Sequence, residues 1–287
     1  MKNILRYKIN ITSILISFLF VFLNSCQDVI DIDVPTSDPK LVIDASIDWE
    51  KETSGVTQEI FLSTSTSYFE NNINSIVTGA QVKITNDLTG SEFVFLDQNN
   101  GKYITNEFIP EINSTYTLEI EYNNEIYKAT EQMKSVPEIE EITQSSNSIF
   151  DLEVIDLNVS FNDPENEQNF YLFEYFEEED MFPELLDVKD EFFNGNLMTI
   201  ALFIDANDED GNLIVEEGDI VHVKFRGISE RYYNFIRRLI EQAFAGDPFE
   251  TTPSQLRGNC VNITNPDNYP FGYFRLSELV SIQQVIE

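Results

Sequence analysis

Alternation of apolar and polar residues with a period of two constrains this chain more than any other feature. Leu41, Ile43, Ala45 and Ile47 fall on one face of an extended segment. Ala80, Val82 and Ile84 alternate with Gln81, Lys83 and Thr85, and Tyr116, Leu118, Ile120 and Tyr122 with Thr117, Glu119 and Glu121. Successive strand side chains point to opposite sides, so each run offers one apolar and one wet face, as a half-buried antiparallel sheet needs. Turn-forming pieces separate the runs: Asp87-Leu88-Thr89-Gly90, Asn99-Asn100-Gly101 and Asn123-Asn124. Several short strands with no helical stretch predict an immunoglobulin-like or transthyretin-like β-sandwich over residues 40–135.

Val136-Pro137 interrupts the pattern and is the expected domain boundary. Ile155, Leu157, Val159 and Phe161 then begin a second alternating set, and Asn162-Asp163-Pro164 turns. Phe170 to Phe176 is apolar on both faces, as a central strand would be, and residues 200–204 and 220–225 add two strands. His222 shares a face with Ile220 and Lys224 and is read as a partly buried strand residue, not a ligand or catalyst. One amphipathic helix is predicted over 229–245, capped by Ser229 and ended by Gly246. Tyr232, Phe235, Ile236, Leu239, Ala243 and Phe244 form its apolar stripe, expected to pack on the sheet, with Arg231, Asn234, Arg238, Glu241 and Gln242 mostly opposite. The predicted fold is therefore mainly β. Two β-sandwich domains, 40–135 and 136–287, are expected, the second with the inserted helix.

The N-terminus carries a different signal. Lys2, Arg6 and Lys8 precede an almost uncharged run from Ile9 to Leu23, the layout of a secretory signal over residues 1–25. A spanning helix needs about 20 apolar residues; this run is shorter, and acidic residues follow it. Leu23-Asn24-Ser25-Cys26 resembles a bacterial lipobox, in which the Cys26 thiol takes a diacylglycerol, the chain is cut before Cys26 and the new amine is acylated. Each buried methylene contributes about 0.8 kcal/mol, and more than one acyl chain gives stable anchoring. Residues 26–39 read as an acidic tether, with Pro35 and Pro39 and no core pattern. Asp28, Asp31 and Asp33 resemble the acidic signal that sends some Gram-negative lipoproteins to the outer face of the outer membrane.

Charge excludes some partners. The chain holds 17 Lys and Arg against 51 Asp and Glu; without Lys2, Arg6 and Lys8 the mature chain has 14 against 51, a formal net charge of −37. Such a body repels phosphate backbones, so no nucleic-acid partner is expected, and anionic lipid would not hold it without the anchor. With Cys26 lipidated, Cys260 has no disulfide partner and is expected to be a buried thiol. The single histidine removes most routes to a catalytic triad or a zinc site. No phosphate loop, nucleophile elbow or metalloprotease helix is present, and no catalytic residue is assigned.

The most suggestive polar cluster is Asp205 to Asn212 with Glu217 downstream. Calcium takes six to eight oxygens around a sharp Gly turn. Counting from Ala206, the residues Asp208, Asp210, Gly211 and Glu217 fall at loop positions three, five, six and twelve. Position one is wrong and the flanks read as strands, so an Asp-Gly hairpin turn explains most of it. Asp208, Asp210 and Glu217 remain the candidate calcium ligands, and no other cofactor is expected. Glu177 to Asp180 reads as a solvated acidic loop, and among 51 acids a pair of hydrolytic carboxylates has almost no specificity as a signal.

Several stretches together resemble one family. They are Pro39-Lys40-Leu41-Val42-Ile43, Leu62-Ser63 leading to Tyr68-Phe69, Val77-Thr78-Gly79-Ala80-Gln81-Val82 and Gly101-Lys102-Tyr103. Phe161-Asn162-Asp163-Pro164, Phe193-Asn194-Gly195, Gly258-Asn259 and Gly272-Tyr273-Phe274 follow. Their number and order resemble the domain-of-unknown-function 4249 lipoproteins over nearly the whole mature chain. Ile43-Asp44-Ala45 departs from the commoner Val-Glu-Gly-like triplet. The resemblance implies an outer-membrane lipoprotein, often encoded beside a TonB-dependent transporter that imports glycans or other large nutrients. It implies no reaction and carries over no catalytic residue. The expected function is that of a lipid-anchored, surface-exposed, non-catalytic accessory or ligand-capturing partner of such a transporter. The alternative is a calcium-dependent carbohydrate-binding or adhesion module, and a carboxylate-based hydrolase is the least favoured reading.

Overall fold

A computed structural model of the chain describes residues 38–66, 75–149, 152–165, 167–178, 180–190, 195–205, 215–243 and 255–287. The signal segment, Cys26 and the tether to residue 37 lie outside the described residues, as do Tyr68-Phe69, Phe193-Asn194, Asp208, Asp210 and the predicted helix end at 244–246.

Among the described residues, fifteen strands and one helix follow in chain order. They are β1 (Leu41–Glu50), β2 (Gln58–Thr64), β3 (Gln81–Asn86), β4 (Glu92–Asp97), β5 (Lys102–Thr105), β6 (Thr115–Tyr122), β7 (Glu125–Gln132) and β8 (Ile139–Ile149). Then come β9 (Leu152–Asn162), β10 (Phe170–Glu177), β11 (Glu184–Lys189), β12 (Leu197–Asp205), β13 (Ile220–Ile228), α1 (Glu230–Ala243), β14 (Val261–Asn262) and β15 (Phe271–Val285). The fold is mainly β, as the alternation predicts.

Twelve strands form one sheet in the order β11-β10-β13-β15-β1-β2-β5-β4-β3-β6-β7-β14; β12, β9 and β8 form a second. Among the described residues, paired strands run antiparallel except β1 and β15, which pair in parallel from Val42 opposite Phe271 to Glu50 opposite Leu279. In the first core the alternating residues of β1, β2, β3, β6 and β7 meet. Ile43, Ala45 and Ile47 are fully buried beside Ile60, Leu62, Ile84, Tyr116 and Ile120. The long sheet thus folds over on itself here. The second core lies between the two sheets: Leu157, Val159 and Phe161 of β9 pack on Tyr171, Phe173, Val223 and Phe225 of β10 and β13. Phe173 and Phe225 stack there with ring centroids 4.4 Å apart.

The chain passes from the first core at Met133 to the second at Val136. Residues after 255 then return: Cys260, Phe274 and Leu276 belong to the first core, and β14 pairs with β7. Strand β15 serves both cores, pairing with β1 up to Leu279 and with β13 from Leu279 onward. Residues Asp38–Glu287 form one compact unit.

A third, smaller core forms on the outer face of β10, β13 and β15, where α1 packs. Tyr232, Tyr233 and Ile236 bury against Phe170, Leu172, Ile228 and Tyr273. Ser229 Oγ accepts from Tyr232 N at 3.2 Å and caps the helix as predicted. The buried face is turned from the predicted stripe: Tyr233 and Ile240 join it and Leu239 stays exposed. The reason is the seat. Tyr233 packs on Phe170 at 5.1 Å and Phe235 on Tyr273 at 4.9 Å, which fixes the helix rotation. Phe170 to Phe176 does become a central strand covered on both sides, by the second core and by this third one.

Candidate functional site

The outer sheet face that α1 does not fully cover forms a cleft of about 560 Å³. Strand alternation decides its floor. In β13, Val221, Val223 and Phe225 enter the second core, so Lys224 and Arg226 face the other way. In β1, Ile43, Ala45 and Ile47 enter the first core, so Asp44, Ser46 and Asp48 line the cleft. Glu174 from β10 and Arg275 from β15 join them by the same rule. Phe61, Leu172 and Leu185 add apolar wall, and α1 closes one side with Tyr232 and Ile236.

Five of these side chains form one chain of ion pairs across four strands. Lys224 Nζ donates to Glu174 Oε1 at 2.8 Å, and Arg226 Nη1 to Glu174 Oε2 at 2.9 Å. Arg226 Nε donates to Asp48 Oδ2 at 3.0 Å, and Arg275 Nη1 to Asp48 Oδ1 at 2.5 Å. The two arginine side chains are only 5% exposed. Burial alone would raise the Asp48 carboxyl, but Arg275 and Arg226 outweigh it and hold the group below the ordinary carboxylate range. Burial likewise opposes ionisation of Glu174, and Arg226 with Lys224 overcomes it, so that carboxyl is also held low. Burial pushes the Tyr232 hydroxyl up, and the Arg275 guanidinium lies 5.4 Å from its ring centre. The floor is therefore charged, buried at its two arginines and held in place by its own hydrogen bonds.

Sequence reasoning did not find this cleft. Its signal was a charged residue on the outer side of a strand otherwise read for its core side: Arg226 between Phe225 and Gly227, Arg275 between Phe274 and Leu276. Of the predicted calcium set, only Glu217 falls among the described residues. Glu217 is an exposed turn residue ahead of β13, and Asp208 and Asp210 lie outside the description. Among the described residues no group of three or more His, Cys, Asp or Glu side chains is placed to hold a metal ion. His222 is half-buried and stacks on Phe176 with centroids 5.0 Å apart, as a strand residue. Cys260 is a buried thiol, and burial pushes it up to about 12, which keeps it protonated and unreactive.

Four of the stretches behind the family resemblance meet in two structural joints. Tyr103 Oη donates to Val77 O at 3.1 Å and accepts from Ala80 N at 3.2 Å, locking Gly101-Lys102-Tyr103 onto the Val77 to Val82 stretch. Asn259 Nδ2 donates to Phe274 O at 2.7 Å while Phe274 N donates to Asn259 Oδ1 at 2.9 Å, so Gly258-Asn259 pairs with Gly272-Tyr273-Phe274 as a strand would. A family model described as "Domain of unknown function (DUF4249)" matches residues 27–282. The chain belongs to the DUF4249 family. No curated protein matches this DUF4249 chain. Among solved structures, a two-domain fibronectin type III segment of chicken tenascin is similar at 13% identity, over 66% of this chain and 90% of that one, with a TM-score of 0.20. A cytokine receptor complex follows at 9% identity, 66% and 83% coverage and a TM-score of 0.24. The chicken interferon gamma receptor alpha chain gives 12% identity, 66% and 88% coverage and a TM-score of 0.21. Superpositions this loose do not carry over strand order, which for this family member rests on the pairings above.

Proposed function

We propose that this DUF4249 chain is a lipid-anchored lipoprotein of the outer membrane, exposed at the cell surface, that captures a ligand for a TonB-dependent nutrient transporter and performs no chemistry on it. The observation that carries the reading is the cleft under α1. It is large enough for a small-molecule ligand, it combines apolar walls with convergent charged groups, and its floor is set by rigid strands. Its two partly buried carboxylates are both held low, the reverse of the raised acid that glycoside hydrolysis requires. The anchor is argued from the sequence around Cys26, and the family match starts one residue beyond it.

Affinity purification of the lipidated chain from crosslinked outer membranes tests the partner. A TonB-dependent barrel is expected in the eluate at near-equal amount. Recovery of the chain without any such barrel, from cells that express one, removes the transport role. Mass spectrometry of the mature N-terminus tests the anchor: Cys26 should carry the diacylglyceryl and acyl masses, and a bare Cys26 removes it.

A further inference from the structure

Among the cleft's buried groups, acceptors are satisfied and donors are left over. Both oxygens of Asp48 and both oxygens of Glu174 accept a hydrogen bond from a cationic neighbour. The guanidinium groups keep spare capacity. Arg226 engages Nε and Nη1, and Arg275 engages Nη1, while neither Nη2 makes a hydrogen bond among the described residues. Arg275 Nε is buried without a partner, on a residue only 4% exposed. Lys224 Nζ has three hydrogens and one acceptor, Glu174 Oε1. The five linked side chains sum to one positive charge, in a protein whose formal net charge is −34. The unengaged Nη2 groups and the two spare Lys224 hydrogens are the donors open to a ligand that supplies oxygens.

We propose that the cleft binds its ligand through a carboxylate, received by the Nη2 groups of Arg226 and Arg275 together with Lys224 Nζ. The proposal rests on the reading of this cleft as the ligand site. A carboxylate matches the planar fork of a guanidinium in shape and charge. A single charge is favoured over a phosphate dianion by the rim. Asp44 and Glu59 line the cleft and are exposed; Lys102 Nζ pairs with Glu59 at 2.9 Å, so it is chiefly the Asp44 carboxylate that a second negative charge meets, within a cleft where screening is incomplete. Phe61 and Leu172 offer the rest of the ligand an apolar wall. The carboxylate can belong to an acidic sugar or to a peptide C-terminus, since both present the same group.

Calorimetric titration of the full lipidated chain in detergent separates these. The probes are glucuronate against glucose, glycylglycine against its C-terminal amide, and inorganic phosphate, each at millimolar concentration. At least one acid should bind ten-fold or more tightly than its neutral counterpart and than phosphate, and the pair that responds names the source. Arg275→Lys keeps a cation for Asp48 but removes the fork, and should weaken the acid ten-fold or more with an unchanged circular dichroism spectrum. Lys224→Gln, at the more exposed end of the ion-pair chain, should weaken it several-fold and serves if Arg275→Lys unfolds. Equal binding of acid and neutral probe, stronger binding of phosphate, no binding by either acid, or unaltered affinity in a folded variant overturns the proposal. A neutral probe that binds in the cleft as tightly as its acid would leave the capture role standing while removing the carboxylate. Absence of a barrel in the crosslinked eluate would remove the transport role while leaving the carboxylate site intact.

Discussion

Asp48 receives one guanidinium on each oxygen, and that sets both its energetics and its pH response. Removing one partner of a buried pair leaves the other charges uncompensated, which costs about 3–5 kcal/mol. Asp48 is a quarter exposed, so Asp48→Ala should lose about 3 kcal/mol in urea unfolding at pH 7. Its folded-state pKa lies below the ordinary value, so the stabilisation is fully present above about pH 4 and is lost as pH falls through the depressed folded value. The gap between wild type and Asp48→Ala should therefore close at the acid end; a gap that stays constant would show that packing, not charge, was lost. Asp163 has the opposite sign. It is buried, accepts from Tyr171 Oη at 2.6 Å and lies beside the buried Asp190. Burial pushes its pKa up, and the Asp190 carboxyl adds to the rise. The folded state then binds more protons than the unfolded, so its contribution diminishes as pH rises through the raised value. Asp163→Asn keeps an acceptor for Tyr171 and removes the charge. It should be more stable than wild type at pH 7 by roughly 1 kcal/mol, with the advantage fading toward pH 4. A destabilised variant at pH 7 would show that the carboxylate form is wanted there.

Close backbone approach, at the scale of elements, explains why some turns and strand starts admit only glycine. Gly272 has φ of 90°, and a Cβ built there would sit 1.9 Å from Ile43 O, at the start of the parallel β1–β15 pairing. Gly79 also has positive φ, 77°, but faces open space. Gly79→Ala should therefore cost only about 1 kcal/mol of backbone strain. Gly272→Ala adds a clash with backbone that cannot yield and should cost at least about 3 kcal/mol. Similar urea midpoints for the two variants would mean that φ alone decides. Elements of this kind also mark what the sequence made legible. Strands β1, β3 and β6 could be read because each buries every second residue, as β9 does from Leu157 to Phe161, and local alternation records that directly. Strand β8 was passed over: its Thr143 to Ser148 stretch is polar, as suits the edge of a three-stranded sheet, and carries no period. The helix was legible in extent and cap but not in rotation, since the stripe is compatible with more than one seat until Phe170 and Tyr273 are placed. The cleft was illegible for a related reason. Asp48, Glu174, Arg226 and Arg275 come from four strands up to 227 residues apart, and only the sheet order makes them neighbours.

The whole molecule depends on β15, because one strand closes both principal cores. Its first half supplies Phe274 and Leu276 to the first core and nine register positions to β1; its second half pairs with β13 and packs Val280 and Ile282 on the second core. Seven consecutive residues, Tyr273 to Leu279, are buried, which a strand achieves only when both faces are covered. The cleft inherits this arrangement, since Arg275 of β15 meets Asp48 of β1 and both lie beside Arg226 of β13. A chain cut at the expected boundary should fail for a physical reason. Residues 38–135 would keep β1 to β7 but expose Ile43, Ala45 and Ile47 along an edge strand with an unpaired backbone, and the pocket left by Phe274 and Leu276 would stay unfilled. That fragment alone should give a collapsed state with poor amide dispersion and no cooperative urea transition. The same fragment joined by a flexible linker to residues 255–279 regains β14, the Asn259 clasp on Phe274 and the parallel partner of β1, so it should unfold cooperatively. A dispersed spectrum and sharp transition from residues 38–135 alone would show that the first sandwich closes without the returning strand. In that case β15 would hold the two sandwiches together without being required to fold the first.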